Sequence, residues 1–84
     1  MWTVRLRSDV KRKLRQIPNP DKERIKQAIV DLNDMPELLD IKKLSGRDGY
    51  RVMVGKWRLL MDIYEEECLI DVHTLAPRGD VYKK

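Results

Sequence analysis

The sequence predicts an α+β domain: a first strand and an α-helical hairpin packed on one face of a small, antiparallel or mixed four-stranded sheet. Three stretches carry that expectation. Residues 2–7, Trp-Thr-Val-Arg-Leu-Arg, alternate with the period of a half-buried strand. Ile25, Ala28, Ile29, Leu32 and Met35 recur at helical spacing ahead of Pro36. Residues 50–63 hold two alternating apolar runs around Gly55-Lys56, a two-residue turn with glycine first, which favours type II′.

In order along the chain, Trp2, Val4 and Leu6 share the core face of the first strand. Ser8 reads as an N-cap, with Lys11 where a capping box would put an acid. Val10, Leu14 and Ile17 predict a short helix over residues 9–16, stopped by Pro18-Asn19-Pro20. Asn19 or Asp21 opens the second helix, with Pro20 suited to its first turn. Residues 37–49 read as irregular. Leu38, Leu39 and Ile41 are expected under the helices, and Ser45-Gly46-Arg47-Asp48-Gly49 is a loop by composition.

The Gly55-Lys56 turn pairs residue 54 with 57, 53 with 58 and 52 with 59. Tyr50, Val52, Val54, Leu59, Met61 and Ile63 then face the helices, while Arg51, Met53, Arg58, Leu60 and Asp62 face away. A turn at Glu65-Glu66 leads to a last strand. Ile70 and Val72 join the core and Asp71 and His73 the open face, with His73 opposite Arg58 and Cys68 on the core side. The tail 76–84 leaves that strand at Pro77 and brings Arg78, Tyr82, Lys83 and Lys84 near one end of the open face.

Composition narrows the chemistry. A chain of 84 residues makes one domain with a modest core, so good packing or a bound partner must help it. The single cysteine excludes an internal disulfide and fits a reducing, cytoplasmic setting. One cysteine and His73 cannot supply the usual zinc ligands, so neither metal nor cofactor is expected. No apolar run approaches a membrane span, and the N-terminus lacks a signal core. Eighteen Lys and Arg against 14 Asp and Glu give +4, which permits a polyanion or an acidic protein as partner.

There is no phosphate-binding glycine loop and no Ser/His/Asp or Cys/His arrangement. What remains is arginine, tyrosine and one histidine on a sheet face, a set that suits a phosphodiester. Guanidinium groups grip phosphate oxygens in pairs and stabilise the extra charge of a pentavalent transition state. RNA brings its own nucleophile, the 2′-hydroxyl, so a protein need only position and neutralise. The blander readings stand beside this one: Arg58 in a surface ion pair, Arg51 solvated, His73 structural, Tyr82 a packing anchor.

The run Leu-Ser-Gly-x-x-Gly-Tyr-Arg-Val-Met-Val-Gly-Lys-Trp-Arg-Leu-Leu-Met-Asp-Ile, followed by Pro-Arg-Gly-Asp-Val-Tyr-Lys, resembles the RelE/ParE toxin superfamily, above all its RelE-like mRNA interferases. The resemblance spans nearly the whole chain. It implies the RelE-like toxin fold and a ribosome-dependent endoribonuclease that cuts mRNA in the ribosomal A site by 2′-hydroxyl attack. It implies as partners a cognate antitoxin, the ribosome with its rRNA, and mRNA. The toxin alone is expected to be monomeric, and hetero-oligomeric with its antitoxin. Carried over by position, Arg58 stabilises the transition state, Arg78 meets the scissile phosphate or leaving group, and Tyr82 stacks on or deprotonates the nucleotide. Arg51 is the basic residue after Gly-Tyr. Lys43, Arg47, His73 and Lys83 complete the expected RNA contacts. Two positions depart from the family pattern: Met53 stands at a second basic position, and Pro77 stands where many relatives carry histidine before the tail arginine. A gyrase-inhibiting toxin of the ParE branch, which binds a protein and is not an enzyme, and an inactive binding module on the same fold are the alternatives.

Overall fold

The computed structural model describes residues 2–77. The element order is β1 (Thr3–Leu6), α1 (Ser8–Gln16), α2 (Asp21–Asp34), β2 (Lys42–Lys43), β3 (Tyr50–Val54), β4 (Trp57–Tyr64) and β5 (Leu69–Pro77). Single 3₁₀ turns at Pro36–Leu38 and Glu65–Glu67 link α2 to β2 and β4 to β5. The sheet order is β1-β5-β4-β3-β2. β1 runs parallel to β5, and the other pairs are antiparallel.

The sheet therefore has five strands where four were expected. The addition is β2, whose Lys42 and Lys43 pair with Arg51 and Tyr50. Two adjacent lysines show no alternation, and only the tertiary edge of β3 makes them a strand. Among the described residues, no helix is long and apolar enough to cross a membrane.

Both helices lie on one face. Val10, Leu14 and Ile17 from α1 and its end, and Ile25, Ala28 and Leu32 from α2, meet Val52, Leu59, Met61, Ile70, Val72 and Leu75 of the sheet. The hairpin register is the one the turn chemistry predicts: Val54 pairs with Trp57, Met53 with Arg58 and Val52 with Leu59. Gly55 takes φ 60, the positive value that the first position of a II′ turn requires. A hydrogen bond donated by Trp57 Nε1 to Asp21 Oδ2 (3.0 Å) ties the start of β4 to the first turn of α2.

Several local expectations are corrected. Ser8 is the first helical residue, with Arg7 at the N-cap and no side-chain cap. Pro20 caps α2 rather than lying inside its first turn. Leu38 is 66% exposed, because the 3₁₀ turn after Pro36 points it outward, while Leu39 and Ile41 do pack on the core. Cys68 is exposed and lies at φ 51, since the 3₁₀ turn lengthens the β4–β5 connection and leaves Cys68 at its exit.

The β4–β5 register also differs. Tyr64 pairs with Leu69, Asp62 with Asp71 and Met61 with Val72, and the next pair is Leu60 with Thr74. His73 is the extra residue of a β-bulge, and Arg58 faces Ala76 instead of His73. The bulge has a packing reason. Strict alternation after Val72 would turn Thr74 to the core; the inserted residue turns Leu75 inward instead, where it is 2% exposed.

Candidate functional site

The face away from the helices carries the candidate chemistry. Arg51 stands opposite Leu60, and Arg58 opposite Met53, so the two arginines are diagonal neighbours on adjacent strands. The segment between β2 and β3 closes when the Leu44 amide donates to the Gly49 carbonyl (2.9 Å). Gly49 is buried at φ 116. A Cβ there would fall 3.0 Å from Leu44 Cδ1 and 3.4 Å from the Met61 carbonyl, so the close approach of this loop to β4 needs glycine.

That loop walls a cavity of about 310 Å³ lined by Lys43, Leu44, Ser45, Arg47, Arg51, Arg58 and Leu60. Four of the seven lining residues are cations and none is an acid. Arg58 and Leu60, 3% and 6% exposed, are the buried members and form its floor. Convergent cations attract an anion. Three guanidinium groups can each present paired N–H donors to phosphate oxygens, and an enclosed floor strengthens each contact relative to open water.

Four of the sequence-predicted site residues thus meet: Arg58, Arg51, Lys43 and Arg47. His73 does not line this cavity. Its Nδ1 lies 2.8 Å from the Thr74 hydroxyl, and its Nε2 lies 3.9 Å from Asp62 Oδ2. Arg78, Tyr82 and Lys83 lie outside the described residues. Leu44, Ser45 and Leu60 join the lining without having been singled out as site residues from the sequence. A loop serine carries no periodic signal, and Leu60 reads as a misplaced apolar residue until the cavity above it is seen.

Towards the β1 edge, the same face holds a buried carboxylate. Asp71 is fully buried, yet it lies on the outer face, roofed by Arg5 of β1 and by Arg7 just beyond it. Arg7 Nη2 and Arg5 Nη2 reach Asp71 Oδ2 at 3.0 and 3.3 Å. The hydrogen bond from Arg7 holds the Asp71 carboxyl below the usual carboxylate range, against the opposing effect of burial, and Arg5 adds to it. The Arg7 guanidinium is correspondingly held above its ordinary value by its hydrogen bond to Asp71. The sequence signal for this cluster was the outward Arg5 and Arg7 of the alternating run 2–7; Asp71 as their common partner follows only from the parallel β1–β5 pairing.

No protein-family model matches the sequence. A curated relative from Methanocaldococcus jannaschii, "Putative toxin RelE1", is 29% identical over 86 residues, covering 98% of this chain and 96% of the relative. Among solved structures, the archaeal RelE–RelB complex from Pyrococcus horikoshii matches with a TM-score of 0.79 and 26% identity, over 93% of this chain and 96% of that one. The toxin–antitoxin complex RelBE2 from Mycobacterium tuberculosis matches with a TM-score of 0.76 and 23% identity, over 92% and 98%, and so shares the fold. Two helices laid on one face of a five-stranded mixed sheet, and similarity running nearly end to end in sequence and in shape, make this chain similar to the RelE toxins and give it their fold.

Proposed function

We propose that this protein is the toxin of a type II toxin–antitoxin system and that it acts as a ribosome-dependent endoribonuclease on mRNA in the A site. The observation that carries the reading is the cavity in which Arg51, Arg58, Lys43 and Arg47 converge, with no acid among its described lining residues. A phosphodiester seated there is surrounded by fixed positive charge. The attacking group is the substrate's own 2′-oxygen. It bonds to the adjacent phosphorus, the 5′-oxygen departs, and the products are a 2′,3′-cyclic phosphate and a free 5′-hydroxyl. The phosphorane carries one more negative charge than the ground state, so donors aimed at it stabilise the transition state selectively. Arg58, held in the buried floor, has that role. By the family resemblance, Tyr82 stacks on the nucleotide or takes the 2′-hydroxyl proton, and Arg78 meets the scissile phosphate or the leaving oxygen; a proton from solvent or from the group that deprotonated the 2′-hydroxyl completes the 5′-hydroxyl.

The partners follow from the same reading. A small core gains stability from a bound chain, and the relatives solved with RelB support a cognate antitoxin as that chain. The ribosome supplies the mRNA and the second wall of the site, which places the activity in the cytoplasm.

The test is to map mRNA ends in a translating extract with wild type beside Arg58→Ala. The expected result is cuts within codons for wild type and a loss of about 10²–10³-fold in the variant, the scale of removing one transition-state donor. Wild type that makes no cuts would sink the enzymatic reading. Growth arrest with DNA damage and intact translation would favour the gyrase-directed alternative.

A further inference from the structure

The β-bulge at His73 turns Leu75 inward, a task for which any extra residue would serve. The residue inserted is the one histidine of the chain. Neighbours in a regular strand point to opposite faces, so their side chains do not meet. At this bulge they do: His73 Nδ1 lies 2.8 Å from the Thr74 hydroxyl. Both side chains stand on the face away from the helices, since Thr74 pairs with Leu60 and His73 reaches Asp62. Re-aiming a side chain beside a site is a common use of a bulge.

The pair lies across from the arginines. Leu60, in the floor of the cation-walled cavity, pairs with Arg51 on one side and with Thr74 on the other. Arg51, Leu60 and Thr74 thus form one row across β3, β4 and β5. Adjacent strands are about 4.8 Å apart, so the backbones at the two ends of the row are roughly 10 Å apart. A phosphodiester held over Leu60 by Arg51 and Arg58 has the Thr74 hydroxyl on its far side.

Charge sets the direction of the hydrogen bonds. His73 Nε2 lies 3.9 Å from Asp62 Oδ2, with the two side chains 25% and 37% exposed. A carboxylate at that position favours the tautomer that carries its proton on Nε2. Nδ1 then offers only a lone pair, so the Thr74 hydroxyl donates to it. The Thr74 oxygen keeps its lone pairs to accept a proton from a third group.

We propose that Thr74 and His73 form the proton relay for the 2′-hydroxyl, with Asp62 setting the tautomer. The relay rests on the RNA-cutting reading above and gives that reaction its base. As the 2′-oxygen bonds to phosphorus, its proton passes to the Thr74 oxygen, and the Thr74 proton passes to His73 Nδ1. Asp62 stabilises the imidazolium, which afterwards releases its proton to solvent. The 5′-oxygen leaves with the electron pair of the P–O bond and takes a proton from solvent. Tyr82 keeps the stacking role.

The test measures cutting and binding apart. Single-turnover cutting is followed on ribosomes programmed with mRNA. Binding is followed on the same ribosomes with a 2′-O-methylated A-site codon, which cannot be cut. His73→Asn keeps an acceptor for Thr74 without the basicity, and is expected to cut at least ~10²-fold more slowly, the scale of a general base. Thr74→Val is expected to lose about as much, while Thr74→Ser keeps most of the rate. Binding of each variant is expected within about twofold of wild type. Added imidazole is expected to restore cutting in His73→Ala, a rescue that a merely structural role does not give. Wild-type rates in His73→Asn or Thr74→Val, a loss in His73→Ala that imidazole leaves unchanged, or binding lost in parallel with cutting would each overturn the relay. Cutting abolished in Tyr82→Phe and intact in His73→Asn would give the proton to Tyr82 and also overturn it. A wild type that binds and cuts nothing would remove the enzymatic reading and the relay together, whereas a wild type that cuts no faster than His73→Asn would remove the relay alone.

Discussion

Gly49→Ala probes how the fold holds the site together. Gly49 sits at φ 116, beyond the left-handed well near 57° that other residues occasionally occupy. Forcing alanine to positive φ costs about 1–2 kcal/mol. The new methyl also arrives 3.0 Å from Leu44 Cδ1, closer than carbon atoms pack. Leu44 can yield only by leaving its rotamer, at about 0.5–1.5 kcal/mol. The Met61 carbonyl at 3.4 Å is backbone and limits the retreat in that direction. The sum is on the order of 2–3 kcal/mol, or roughly 10–20 °C in Tm for a domain of this size. The assay is thermal and urea unfolding of wild type, Gly49→Ala, Leu44→Ala and the double variant. Leu44→Ala removes the contacted atom, so the double variant should be less destabilised than the sum of the singles by about 0.5–1.5 kcal/mol. Because the same loop carries Arg47, RNA cutting should fall in Gly49→Ala at temperatures where the protein is still folded. A Gly49→Ala protein within about 0.5 kcal/mol of wild type, or one showing no coupling to Leu44, would refute the reasoning.

Further outcomes follow from other contacts. Asp71→Asn should lower stability at pH 7, and the gap from wild type has a defined pH course. The native carboxyl is held below its ordinary value by Arg7 and Arg5, so its contribution is full above the unfolded value of about 4 and fades as pH falls through the lower folded value. Urea midpoints of the pair should run parallel from pH 7 to about 4 and converge only below that; convergence already at pH 5 would contradict this. Trp57→Phe removes the donor to Asp21 Oδ2 and should cost about 0.5–1.5 kcal/mol in urea unfolding, and Asp21→Ala in the Trp57→Phe background should cost less than alone. Leu59→Ala, at a fully buried core position, should cost about 2–5 kcal/mol, whereas Leu38→Ala, two-thirds exposed, should stay within about 0.5 kcal/mol of wild type.

Local rules were enough for much of the molecule. The alternation of β1, the stripe Ile25-Ala28-Leu32 and the Gly55-Lys56 turn specify a strand, a helix and a hairpin register with near-neighbour physics alone. Arg51 and Arg58 were legible as outward cations for the same reason: the turn fixes which residues face each other within β3 and β4. Long-range placement was not legible. Lys42–Lys43 form a strand because β3 offers an edge, and the basic loop becomes a cavity wall because Gly49 lets it close against β4. His73 moved away from Arg58 because Leu75 must reach the core, a packing demand from elsewhere in the fold that alternation cannot register. The same holds for Asp71, whose burial under Arg5 and Arg7 depends on a parallel pairing across 66 residues of chain. The sequence by itself determined the elements and which cations point outward, since those depend on periods of two and 3.6 residues. The tertiary structure alone decided which cations converge and which carboxylates stand beside them, since convergence depends on contacts between segments whose order in space no local period encodes.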